Sequence, residues 1–140
     1  MNPHIRRATE ADLTRIFEIR AAVKENRLSD PSRVTREDCL WYIAGPGMWV
    51  WQDGNDICGF SASDTRDGSI WALFVDPASE GRGIGRALLA QAAQVLRDAG
   101  FSVATLSTDP GTRAARFYRE AGWNPDGYTD KGELRFRLAL

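Results

Sequence analysis

A chain of 140 residues with a formal net charge of -1, 26% charged and 43% apolar residues, has the make-up of one ordinary folded domain spanning 1-140. That balance excludes disorder and supplies no overall attraction to nucleic acid or to an anionic membrane. No apolar run reaches the roughly 20 residues that span a bilayer, and no apolar stretch follows the basic residues near Met1, so a cytoplasmic protein without membrane or nucleic-acid partners is expected.

Ile5 to Ala8 reads as a first strand. Thr9 with Asp12 three residues on makes a capping-box-like start for a helix to about Val23, burying Leu13, Ile16, Phe17 and the stem of Arg20. After a polar stretch broken by Asp30-Pro31, Thr35 and Asp38 start a second helix that ends before Gly45-Pro46-Gly47. Met48 to Gln52, Ile57 to Ser63 and Ile70 to Val75 are short strands joined by the turn signals Asp53-Gly54-Asn55-Asp56 and Arg66-Asp67-Gly68, which predicts an antiparallel meander. From Gly83 the period becomes helical, with Ile84, Leu88, Ala92, Val95, Leu96 and Ala99 on one face and Gly100 as the stop. A strand from Val103 to Ser107, a short helix from Thr112 to Ala121 closed by Gly122, and a strand or hairpin around Glu133 to Leu140 complete the chain. Strand, helix, strand over residues 70–107 requires a parallel crossover, whereas the meander is antiparallel; the class is therefore α+β with a mixed sheet. Cys39 and Cys58 lack metal-like spacing and read as core residues, and the lone His4 completes neither a zinc site nor a Ser/His/Asp triad, so no metal is expected.

The chemistry concentrates in Glu80-Gly81-Arg82-Gly83-Ile84-Gly85-Arg86, which follows a strand and opens the most regular helix. The first turn of a helix leaves backbone N-H groups unpaired and carries partial positive charge, so an anion binds there if side chains leave the approach clear. Gly81, Gly83 and Gly85 clear it, and Arg82 and Arg86 add charge-assisted contacts suited to a pyrophosphate. A nucleotide-triphosphate loop requires Gly-Lys-Ser/Thr, where Gly85-Arg86-Ala87 stands; a dinucleotide loop requires a third glycine at Arg86. Taken alone, the glycines are equally compatible with a tight turn into a helix.

In context these residues resemble the GCN5-related N-acetyltransferase (GNAT) superfamily, through Gly83 and Gly85, the preceding strand with Asp76-Pro77, Ala87-Leu88-Leu89, and the later segment Arg116-Phe117-Tyr118-Arg119-Glu120-Ala121-Gly122-Trp123. The resemblance implies a mostly antiparallel central sheet flanked by helices, with a splayed parallel strand pair that holds acetyl-CoA as acyl donor. It implies that the backbones of Leu73, Phe74 and Val75 hold pantetheine, that Gly81, Arg82, Gly83, Ile84, Gly85 and Arg86 hold the pyrophosphate, and that Tyr118 is the general acid. Two positions depart from the pattern: Glu80 stands for an Arg or Gln, and Gly111 for an Asn, with Thr112 either making the contact of that Asn to the cofactor or, preferably, capping the helix.

The expected activity is acetyl transfer to an amine by direct attack, with a small-molecule acceptor preferred. A protein N-terminus or lysine, or a coenzyme A-binding sensor without turnover, is the alternative, and the sequence allows a homodimer. Arg27, Trp41, Trp49 and Trp71 are expected to line the acceptor pocket, against core packing as the simpler role for each tryptophan. No carboxylate lies within Ile70 to Val75, which leaves Asp64, Asp109 and Glu133 as more distant bases, each more simply read as a solvated or capping group.

Overall fold

The computed structural model describes residues 3–23 and 35–140. One seven-stranded sheet runs in the order β1-β2-β3-β4-β5-β7-β6. Its strands are β1 (His4–Arg7), β2 (Met48–Asp53), β3 (Asp56–Asp64), β4 (Ser69–Val75), β5 (Val103–Thr108), β6 (Asn124–Tyr128) and β7 (Leu134–Ala139), and the helices are α1 (Leu13–Ala22), α2 (Arg36–Ala44), α3 (Ile84–Asp98) and α4 (Arg113–Glu120). All neighbouring pairs are antiparallel except β4 and β5. The mixed α+β sheet expected from the sequence is what the chain forms.

Each helix begins where a side chain or a glycine satisfies or spares the exposed amides. Thr9 and Asp12 form a reciprocal capping box, which opens as a single 3-10 turn at Glu10–Asp12 before α1 proper. Thr35 accepts from the Asp38 N-H at 3.1 Å and Asp38 accepts from the Thr35 N-H at 3.2 Å, fixing the start of α2. The C-terminal hairpin pairs β7 with an additional strand, β6, in which Pro125 and Gly127 hide the alternation and the register shifts between Pro125 and Tyr128.

Two cores lie on opposite faces of the sheet. On one, Leu13, Ile16 and Ile19 of α1 and Cys39 and Tyr42 of α2 pack on Val50, Phe60 and Ala62. On the other, Leu89, Ala92 and Leu96 of α3 and Ala115 and Tyr118 of α4 pack on Ala104, Leu106 and Phe136. The apolar stripe of α3 is buried as its period requires, except Ala99, which caps the exposed C-terminus. Gly59 lets the start of α3 lie close to β3: a Cβ there would sit 2.9 Å from the Phe74 carbonyl oxygen, 3.0 Å from Leu88 and 3.3 Å from Ile84.

The junction between β4 and the glycine loop is fixed by Asp76. Its carboxylate accepts from the Ala78 N-H at 3.1 Å, capping the turn Pro77–Ser79, and also from the Arg15 guanidinium of α1. Its own N-H donates to the Cys58 carbonyl at 2.8 Å, and Arg15 Nε donates to the Ile57 carbonyl at 3.0 Å. The Ala78 amide and then Arg15 hold the Asp76 carboxyl below the ordinary carboxylate range.

Two consequences can be measured by denaturant unfolding. Gly59→Ala should cost about 1–3 kcal/mol, because the added methyl meets a carbonyl that cannot yield cheaply. Asp76→Ala should cost about 1–2 kcal/mol at pH 7. Since the folded pKa of Asp76 lies below the unfolded one, its contribution is complete above the unfolded value and is lost as pH falls through the folded value; the gap between Asp76→Ala and the parent should close below about pH 4.

Candidate active site

The site originates in an irregularity of β4. Ala62 pairs with Ala72 but Ser63 pairs with Ile70, so Trp71 is an extra residue and β4 carries a bulge. A bulge bends its strand and strengthens the local twist. Trp71 is held in place by stacking on Tyr42, with centroids 4.4 Å apart and planes 20° apart. The Tyr42 hydroxyl donates to Asp64 at 3.2 Å, and Asp64 accepts from Arg66 at 2.9 Å. Burial, with Asp64 beside it, drives the Tyr42 phenol well above its ordinary pKa, while Arg66 holds Asp64 below its own.

Beyond the bulge β4 and β5 part. Ser69 and Thr105 form the only register pair between them, and the wedge that follows opens into a cavity of about 790 Å³. Leu73 and Phe74 form one wall, with Trp71 at its base, and Thr105, Leu106, Ser107 and Thr108 of β5 form the facing wall. Ile16, Phe17 and Arg20 of α1 close one side, and Thr129, Glu133 and Arg135 close another. Tyr118 reaches the cavity from α4. It is 8% exposed, with Phe117, Phe136 and Trp123 rings 5.4, 5.7 and 6.4 Å away by centroid. Burial alone raises its pKa, and its hydroxyl makes no hydrogen bond to another described residue. It is a protonated donor throughout the neutral range.

The glycine loop follows β4 directly. Gly81 and Gly83 have φ of 81° and 80°, the left-handed region that side chains resist, and a Cβ on either would meet nothing within 4 Å. Gly83 is the N-cap of α3 without a side-chain cap, and the first bond of the ladder runs from the Ala87 N-H to the Gly83 carbonyl at 3.1 Å. The amides of Ile84, Gly85 and Arg86 therefore precede the ladder and face an open approach. Ile84 contributes only its amide, since its side chain is 1% exposed and packs with Cys58 and Leu88. A Cβ on Gly85 would lie 3.5 Å from Val75 and 3.6 Å from Phe117. Arg82 donates to Asp53 at 2.8 Å, and Glu80, where Arg or Gln was expected, accepts from Arg113 at 3.0 Å. Thr112 is the N-cap of α4, accepting from the Ala115 N-H at 3.2 Å.

The residues expected from the sequence thus separate. Leu73, Phe74, Trp71 and Tyr118 share the cavity; Val75, the loop residues 81–86 and Thr112 lie outside its lining. Trp41 is 43% exposed beneath the Arg66 guanidinium, 4.0 Å from it, and Trp49 donates to the Pro46 carbonyl at 2.8 Å; neither lines the cavity, because each is engaged at the far end of α2 or on β2. Arg27 lies outside the described residues. Among the three carboxylates, Asp64 is bound to Arg66 and Tyr42, Asp109 has one buried oxygen without a hydrogen bond, and Glu133 lines the cavity. Phe17, Thr105, Ser107, Thr129 and Arg135 were not expected there; the alternation of Ala104 and Leu106 with Thr105 and Ser107 on β5 was the available signal. Among the described residues no group of three or more His, Cys, Asp or Glu could hold a metal ion, and no helix is long and apolar enough to cross a membrane.

Known proteins match this arrangement. Mycothiol acetyltransferase of Sanguibacter keddieii is 34% identical over 110 residues, covering 71% of this chain and 35% of that protein. The enzyme of the same name from Beutenbergia cavernae is 40% identical over 96 residues, covering 64% of this chain and 32% of that one. The chain therefore spans about a third of the length of these relatives. PaiA N-acetyltransferase from Thermoplasma acidophilum, solved with coenzyme A, superposes with a TM-score of 0.80 at 16% identity over all of both chains. YncA from Salmonella typhimurium, solved with acetyl-CoA, gives 0.81 at 20% identity over 100% of this chain and 95% of that one. A model of the acetyltransferase (GNAT) family matches residues 13–123, and the chain belongs to that family.

Proposed function

We propose that the protein transfers an acetyl group from acetyl-CoA to an amine of a small molecule. The observation that carries this reading is the wedge between β4 and β5, which Tyr118 lines and beyond which β4 runs on into the glycine loop. The pantetheine arm would lie in the wedge as an additional strand along Leu73 and Phe74. Its pyrophosphate would meet the amides of Ile84, Gly85 and Arg86, with Gly83 leaving the approach open. The family match and the coenzyme A and acetyl-CoA bound by the two structural neighbours support this placement.

In the transfer, the neutral amine nitrogen attacks the thioester carbonyl carbon, the N-C bond forms, the C-S bond breaks, and the nitrogen loses a proton while sulfur gains one. Tyr118 supplies the proton to sulfur. Its raised pKa keeps it protonated until that moment, and the resulting phenolate, disfavoured by the same burial, is reprotonated from solvent. A small-molecule acceptor fits a cavity closed on one side by α1 and on another by the β6–β7 connection.

The assay is thiol release from acetyl-CoA across a panel of amines. Tyr118→Phe should lower kcat on the order of 100-fold while leaving coenzyme A affinity unchanged; coenzyme A binding with no release for any amine would defeat the transfer reading. Gly83→Ala should cost about 1–2 kcal/mol in backbone strain and weaken coenzyme A binding by about tenfold in calorimetry, because the αL residue shapes the anion approach.

A further inference from the structure

The acceptor end of the cavity has a charge pattern that the transfer reaction itself does not require. Three ionisable side chains line it: Arg20 from α1, Arg135 from β7 and Glu133 just before β7. Among the described residues none of the three forms an ion pair, whereas Arg6, Arg15, Arg36, Arg66 and Arg82 each meet a carboxylate. Arg20 is half-buried and Arg135 exposed, so two guanidinium groups and one carboxylate at the cavity make a solvent-accessible site with an excess of positive charge, of the kind that recruits an anion by charge-assisted hydrogen bonds.

The three groups are placed by rigid elements. Arg135 pairs in register with Ser107 and so projects on the same face of the sheet as Ser107 and Thr105, which line the cavity. Glu133 is held by the closure of the β6–β7 connection, in which its N-H donates to the Thr129 hydroxyl at 3.1 Å and its carbonyl accepts from the Thr129 N-H at 2.8 Å. Arg20 lies one turn beyond Ile16 and Phe17 on α1, and all three line the same cavity as Arg135 and Glu133.

We infer that the acceptor is an amine that also carries an anionic group, a carboxylate or a phosphate. Arg135, with Arg20, binds the anion, Glu133 receives the ammonium end, and Phe17 supports the body between them. The inference rests on the acetyl-transfer reading for what happens next, but the charge selectivity concerns binding alone and is measured separately from turnover.

The experiment titrates the protein saturated with coenzyme A, by calorimetry, with three matched series: α-amino acids, their amides, and aminoalkyl phosphates. The amino acids or the aminoalkyl phosphates should bind at least tenfold more tightly than the amides, and whichever series leads identifies the anion. Arg135→Gln should remove that preference by weakening the anionic ligands tenfold or more while changing amide binding less than twofold, and Arg135→Lys should restore part of it. Equal binding of amides and acids, or an Arg135→Gln effect of the same size on both, would overturn the inference. Circular dichroism and coenzyme A affinity of each variant separate a folding defect from a lost contact. Selective binding without thiol release from acetyl-CoA would uphold the anion site and defeat the transfer reading, so the two fail independently.

Discussion

The whole site depends on β4 and β5 being neighbours that do not stay paired. Two adjacent parallel strands would ordinarily satisfy their backbone groups on each other along their length. Here the extra residue at Trp71 bends β4 after a single register pair with β5, and the stack of Trp71 on Tyr42 holds the bent strand against α2. The Tyr42 hydroxyl is in turn tied to Asp64 and Arg66, so the irregularity is braced by polar contacts at the opposite end of β4 from the glycine loop.

The two faces of the sheet then divide the labour. On the α3 and α4 side, Leu88, Leu96, Ala104 and Phe136 are fully buried, and Gly59 lets α3 approach closely enough to aim its first turn at the end of β4. On the α1 side the packing is incomplete: Phe17 and Phe74 are only half-buried, and the β5 and β7 residues on that face include Thr105, Ser107, Arg135 and Arg137. The closed core positions the loop and Tyr118, and the open face provides the room. Glu80, a carboxylate at the start of the glycine loop, is compensated by Arg113 from the start of α4, which joins the loop to the helix bearing Tyr118. That contact is exposed at both ends and contributes little to stability by itself.

The glycine turn could be placed from the sequence because steric rules constrain it tightly, and Tyr118 could be placed on its short helix through the resemblance of the segment around it. Only glycine takes φ near 80° cheaply at position 83, and a tyrosine one residue after Phe117, on a short helix ended by Gly122, has few places to go. The acceptor side could not be read in the same way. A polar residue on a half-covered strand face, such as Ser107 or Arg135, has the same pattern whether the space above it is solvent or a pocket; only the tertiary arrangement of α1 over the sheet distinguishes them. Tryptophan was a poor guide for the related reason that its large apolar body serves many surfaces: Trp41 supports Arg66, Trp49 is anchored to Pro46, and only Trp71 of the three reaches the cavity. β6 escaped notice because Pro125 removes a donor that an interior strand would need, which an edge strand does not.

The parted strands also bear on association between molecules. Unpaired strand backbone at a sheet margin is a template for unwanted pairing with another chain. The true margins here are blunted: β1 is four residues long with Arg6 and Arg7, and β6 carries Pro125 and an irregular register. The open backbone of β4 lies instead inside the sheet, recessed between β5 and the helices on either face. Its flanks are occupied, so a second chain cannot reach it from the sheet margin as it could an edge strand. The fold therefore leaves strand backbone unpaired in its interior without presenting it at a sheet margin, where it would be open to pairing with another chain.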